Sequence, residues 1–136
     1  MRSKNLISPV TDAVLRKYLA GYPQDAVSAL HHRLMKERSG LRDKFNTGSL
    51  YLGYAEGKSD ALYVYVKKKY LVFDVRAPAE EYAVEMKRQG FEIQPKSNWQ
   101  ASAGWLTGLR VPHDVKKLAP IVKLALYALE KHRLCQ

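Results

Sequence analysis

The sequence predicts an α+β fold: an antiparallel sheet of about four strands, a three-strand meander plus one, with an N-terminal helix pair and a long C-terminal helix. The prediction rests on periodicity and on connection length. Apolar residues recur at helical spacing up to Gly40 and again in the C-terminal quarter, whereas between them the period falls to two. The links between the period-two runs are too short for the crossovers that parallel strands need.

Taken in order, "SPVTDAVLRKYLAGYP" offers Thr11 as an N-cap, Val14, Leu15, Tyr18 and Leu19 as one stripe, and "GYP" as a stop. A second helix is expected over Asp25–Ser39, with Val27, Leu30, Leu34 and Met35 at helical spacing and Gly40 as terminator. The strands "SLYLGYA", "DALYVYV" and "KYLVFDVRA" follow, joined by "EGKS" and by a turn of lysines. Pro78 ends the meander. "APAEEYAVEMKRQG" then reads as a short helix, with acids in its first turn, bases in its last and Gly90 as its close. "FEIQPKSNWQASAG" reads as loop. "GWLTGLRV" is the fourth strand, in which strict alternation sets Trp105, Thr107 and Leu109 against Leu106, Gly108 and Arg110. The last helix, from His113, carries Val115, Leu118, Val122, Leu126 and Leu129; Pro120 demands either a separate first turn or a kink.

A chain of 136 residues with 46% hydrophobic and 26% charged content fits one globular domain, helical over 1–40 and α+β over 41–136. No apolar run is long enough for a bilayer span, and "MRSKNLISPV" is not followed by a signal-peptide core, so a cytoplasmic protein with no membrane partner is expected. The single cysteine, Cys135, supports neither a disulfide framework nor a thiolate metal site. Lys and Arg total 23 against 13 Asp and Glu, a net charge of +10 that attracts polyanions.

Alternation along the meander separates two faces. Leu50, Leu52, Leu62, Val64, Val66, Leu71, Phe73 and Val75 form an aliphatic wall for the core. Tyr51, Gly53, Ala61, Tyr63, Tyr65, Tyr70, Val72 and Asp74 form the other face. Tyrosines there serve as stacking platforms for unpaired bases, or as cross-strand pairs that stabilise the sheet, or the N-terminal helices cover this face as well. On the first view Tyr63, Tyr65 and Tyr70 stack, Trp99 assists, and Lys67, Lys68, Lys69, Arg76, Lys96 and Arg110 contact phosphates. On the second, the lysines are a solvated turn that discourages edge pairing.

Catalytic and metal chemistry finds little purchase, and no catalytic residue, metal or cofactor is assigned. A metal-dependent nuclease core needs a second acid where Tyr65 stands; Asp60 and Lys67 match the rest, but no spacing argues for Glu56 or Asp74 as a substitute in space. His31, His32, His113 and His132 lack zinc spacing; His31 and His32 suit surface or rim roles, and His113 suits a helix start. Glu80 and Glu81 are ordinary first-turn acids. No Walker loop, G-x-G-x-x-G or G-x-S-x-G occurs. The segment "KSNWQASAGW" holds both tryptophans with Lys96, Asn98, Gln100 and Ser102, either as a pocket wall or as a core anchor.

From about Leu41 the order of elements, through "LYLGYAEGKSDALYVYVKKKYLVFDV", "NWQASAGWLTGLRV" and "DVKKLAPIVKLALYALEK", resembles a small bacterial domain of uncharacterised function. That domain occurs alone or appended to restriction-associated proteins and is sometimes labelled a predicted transport protein. In the family the loop before the last strand is of an "hWG-G-" type; here it is longer and its tryptophan is spaced differently. The resemblance implies a cytoplasmic accessory domain in DNA-related company. The expectation is therefore a non-enzymatic nucleic-acid-binding or accessory domain. The alternatives are a protein-interaction module or homodimer through the same face, and a small-molecule site at the Trp99–Trp105 loop.

Overall fold

The computed structural model describes residues 5–38, 40–56, 60–112 and 117–133. His113, Val115 and Cys135 lie outside that set, as does the side chain of His132. The fold is α+β. The described elements are β1 (Leu6–Ile7), α1 (Asp12–Tyr18), α2 (Gln24–Glu37), β2 (Arg42–Asn46), β3 (Tyr51–Ala55), β4 (Leu62–Val66), β5 (Tyr70–Pro78), α3 (Ala79–Arg88), β6 (Glu92–Ile93), α4 (Trp99–Ser102), β7 (Trp105–Pro112) and α5 (Leu118–Arg133).

Local signals account for most boundaries. The Thr11 hydroxyl accepts the Val14 N–H at 3.2 Å and so caps α1. Asn46 turns β2 into β3 by accepting the N–H groups of Gly48 and Ser49 at 2.9 and 2.7 Å. Gly90, at φ +94°, follows α3 in the left-handed region that glycine adopts freely. Helix α5 begins at Leu118, which puts Pro120 in the first turn. There a missing N–H breaks no intrahelical bond of α5, so no kink is needed; the separate first turn expected from His113 falls on residues 113–116, which lie outside the described residues.

The sheet has seven strands, ordered β1-β2-β3-β4-β5-β7-β6, and every described pairing is antiparallel. This corrects the expectation of about four strands. Strand β2 escapes a periodicity search because Asp43 sits between Leu41 and Phe45 at an inward position, where an apolar residue is expected. Strands β1 and β6 are two residues each and too short to leave an alternating pattern. As short edges they also offer little template for further pairing.

Helices α1, α2, α3 and α5 supply one apolar cluster with the inward residues of the sheet, among them Phe45, Leu52, Tyr54, Leu62, Val64, Leu71 and Phe73. Leu50, expected on that wall, lies outside the strand at φ +53° and packs at the core margin. Strict alternation fails in β7. Gly108 adopts φ +70°, and the β5–β7 register slips between Phe73 and Val75. The bulge turns Leu109 inward with Leu106 and Val111, while Trp105 and Thr107 stay out of the apolar cluster.

His31 is buried, not at the rim. Its Nε2 lies 3.0 Å from the Val10 carbonyl, which can only accept, so Nε2 carries the proton. Nδ1 then accepts the Tyr54 hydroxyl at 2.7 Å. Asp43 accepts the Ser8 hydroxyl and the Val10 N–H, and its Oδ2 lies 3.5 Å from His31 Nε2. The polar residue that hides β2 from the sequence therefore ties the segment before α1 to the sheet.

Candidate functional site

The tyrosine face is turned away from the four packed helices, as the alternation predicts, but its rings are engaged with one another. Tyr51 opposes Tyr65 across β3–β4, and its ring lies 5.6 Å from Tyr63, edge to face. Tyr63 stacks on Trp105 with centroids 5.9 Å apart and planes 17° apart. Its hydroxyl donates to Asp60 Oδ2 at 2.7 Å, and Lys44 Nζ approaches the same oxygen at 2.7 Å. Burial first, then the Asp60 contact, pushes the Tyr63 phenol far above the ordinary tyrosine range. Burial, with the nearby Asp74 charge second, pushes Tyr65 up to about 12.

Residues 94–104 fold back over part of this face. Their anchor is Asp74, an outward residue of β5 that is nonetheless 0% exposed. Its carboxylate accepts Lys96 Nζ and the Gly108 N–H, both at 3.0 Å, and Asn98 Nδ2 lies 3.5 Å away. The Gly108 bulge makes this possible by presenting a backbone donor to the sheet surface. It also lets the Gln94 carbonyl pass close, since a Cβ on Gly108 would lie 1.8 Å from that oxygen. Lys96 Nζ stands 3.6 Å from the Tyr65 ring centroid, so it covers the ring while pairing with Asp74. Lys96, expected as a phosphate contact, thus has its ammonium committed to a buried carboxylate, and Tyr65 has one face occupied.

Asn98 also caps α4 by accepting the Ala101 N–H at 2.9 Å. That short helix presents Trp99, 62% exposed and edge-on to the buried Trp105 at 5.5 Å. The two tryptophans differ: Trp105 is buried, though outside the apolar cluster, and Trp99 projects. Between Trp99, Trp105, Tyr63 and the start of α3 lies an open cleft of about 810 Å³, with Arg76, Glu80 and Lys131 on its walls. A second space of about 380 Å³, lined by Gly53, Arg42 and Lys44 among others, shares Trp99, Tyr63 and Asp60 with the first. Asn98 and Gln100 do not line the larger cleft, and Gln100 is buried.

At the opposite end of β5, a notch of about 310 Å³ gathers Lys69, Tyr70, Arg110 and Lys117. The Arg110 guanidinium lies 4.7 Å from the Tyr70 ring centroid and is held by Gln94 and Glu92. At 3.3 Å per residue the two ends of β5 are about 25 Å apart. The structure therefore sorts the candidate residues into Tyr63, Arg76 and Trp99 at one end, Tyr65 and Lys96 between, and Lys69, Tyr70 and Arg110 at the other. Lys67 and Lys68 are exposed in the β4–β5 turn, with Lys68 Nζ 5.7 Å from the Tyr22 ring.

Arg42, Lys44, Lys117 and Lys131 are the basic lining residues that sequence reasoning did not single out as a site. Arg42 and Lys44 become legible once β2 is seen as a strand, because they alternate with inward Asp43 and Phe45. Lys117 and Lys131 reach their clefts only through tertiary packing. Each carboxylate weighed for a metal site is already occupied: Asp60 by Lys44 and Tyr63, Asp74 by Lys96, and Glu56 by Arg38. Among the described residues no three His, Cys, Asp or Glu side chains cluster as metal ligands, and no described helix is long and apolar enough to cross a membrane. No family model, curated protein or solved structure matches the chain.

Proposed function

We propose that this chain is a non-enzymatic domain that binds single-stranded nucleic acid on the outer face of its sheet. The observation that carries the proposal is the pairing of aromatic rings with basic side chains in clefts at both ends of β5: Trp99 and Tyr63 with Arg76 and Lys131, and Tyr70 with Lys69, Arg110 and Lys117. An unpaired strand needs both partners, rings for its bases and cations for its phosphates. The net charge of +10 adds a long-range attraction. Tyr63 and Tyr65 enter this reading as a supporting wall, because their faces already meet Trp105 and Lys96; Trp99 is the ring open to a base.

The test is fluorescence anisotropy of labelled single- and double-stranded oligonucleotides. The proposal expects the single strand to bind more tightly, with Arg76→Ala and Lys69→Ala each weakening it. Equal binding of both forms, unmoved by either substitution, contradicts it. A second reading is favoured by one observation: the Trp99 cleft has the volume of a small-molecule site and mixes carboxylates with cations on its walls. The third, a homodimer through this face, has less support, since Trp99 is its one strongly exposed large apolar side chain among the described residues.

A further inference from the structure

We infer that Trp99 is a wedge that separates two adjacent unpaired bases, with the two spaces it borders each taking one nucleotide of a single strand. The inference rests on the nucleic-acid reading and deepens it. An indole that is 62% exposed forgoes the burial that tryptophan usually gains, so the chain supports it by other means. Asn98 caps its helix, Asn98 and Lys96 tie the segment to Asp74, and Trp105 meets it edge-on at 5.5 Å and 68°. A ring held in place before the ligand arrives loses little freedom on stacking.

Trp99 borders both spaces, about 810 and 380 Å³, and Tyr63 and Asp60 line both as well. Small residues, Ala101, Ala103 and Gly104, leave room in the larger space, whereas in the smaller one the room over Gly53 is taken by the Lys44 stem. A Cβ on Gly53 would lie 2.7 Å from the Lys44 side chain that crosses it. Each space also carries cations: Arg76 and Lys131 in the larger, Arg42 and Lys44 in the smaller. Of the acids at their borders, Asp43 is buried against Ser8 and Val10, and Asp60 is paired with Lys44. With the Lys44–Asp60 pair cancelling, Arg42, Arg76 and Lys131 stand against Asp43 and Glu80, a small positive balance that favours a phosphodiester passing the indole.

The experiment follows tryptophan fluorescence while the full chain is titrated with 5′-phosphorylated diadenylate or with adenosine monophosphate, in ribo and deoxy forms. The wedge predicts that the dinucleotide of at least one sugar quenches the emission and binds at least about tenfold more tightly than its mononucleotide, because it stacks a second base. Trp99→Ala should erase that advantage, read by competition against a labelled oligonucleotide, and Trp99→Phe should restore most of it. Circular dichroism checks that the variants fold, which exposure of Trp99 favours. Equal affinity for one base and two, or an advantage that survives Trp99→Ala, overturns the wedge. If longer single strands still bind with a steep salt dependence in that event, the broader reading stands. If no single strand binds at low salt, both fall.

Discussion

Removing the Lys96 ammonium should destabilise the fold by about 3 kcal/mol, far more than an exposed ion pair could contribute. The reasoning starts from Asp74, which is 0% exposed and has three donors: Lys96 Nζ and the Gly108 N–H at 3.0 Å, and Asn98 Nδ2 at 3.5 Å. Opposite unit charges at 3.0 Å attract by about 5 kcal/mol gross at an effective dielectric constant of 20. Lys96→Met keeps the stem over Tyr65 but strands the carboxylate with the remaining donors; partial exposure of Lys96, at 29%, lets water recover some of the loss. Asp74→Asn keeps an acceptor for Gly108 and lets the freed ammonium turn outward, so it should cost less, about 1–2 kcal/mol. The double variant should then lose at least about 1 kcal/mol less than the sum of the singles. Urea unfolding of the four proteins measures this cycle. Additive losses, or a Lys96→Met cost under about 0.5 kcal/mol, would refute the view that this pair anchors the Trp99 segment.

Other consequences follow from the same contacts. Gly108→Ala places a Cβ 1.8 Å from the Gln94 carbonyl at φ +70°, so it should cost at least about 3 kcal/mol or prevent folding, whereas Gly104→Ala, with open space around its Cβ, should cost only the roughly 1 kcal/mol of a positive φ; thermal melts compare them. Burial holds the His31 pKa below its ordinary value against the opposing pull of Asp43. The unfolded chain therefore binds more protons below about pH 6.5, and stability should fall as pH drops from there toward the lower folded pKa. His31→Gln should flatten that part of a urea-midpoint profile. Arg38 closes on Glu56 with two nitrogens and on Glu130 at 2.5 Å, joining the end of α2 to β3 and α5. Arg38→Ala should cost about 1–2 kcal/mol by urea titration, and less in high salt.

How much of this was legible in the sequence depended on whether a residue's partner lay nearby in the chain. Thr11, Gly90 and the alternation of Leu62 to Val66 act through neighbours a few positions away, and the boundaries they imply match α1, α3 and β4. Asp43 does not: its donors, Ser8 and Val10, are more than thirty positions away, so an inward carboxylate breaks the alternation that would reveal β2. Gly108 looked like one more residue of an alternating strand, yet it is the bulge that reverses Leu109 and supplies a donor to Asp74. The site shows the same division. Tyr63, Tyr65 and Tyr70 were assignable to one face by parity alone. That Lys96 would cap Tyr65 rather than wait for a phosphate depends on a fold-back of the chain that no local pattern records.

The central claim, that the outer face receives a single strand, is tested most directly by the salt dependence of oligonucleotide binding. Four or five phosphate contacts predict that log affinity falls linearly with log salt, with a slope of about −3 for a single strand. That slope should shrink when Arg76 and Lys69 are replaced together by alanine. An oligonucleotide that fails to bind at low salt, or one whose affinity ignores salt, would contradict the account and make the +10 charge a matter of solubility alone.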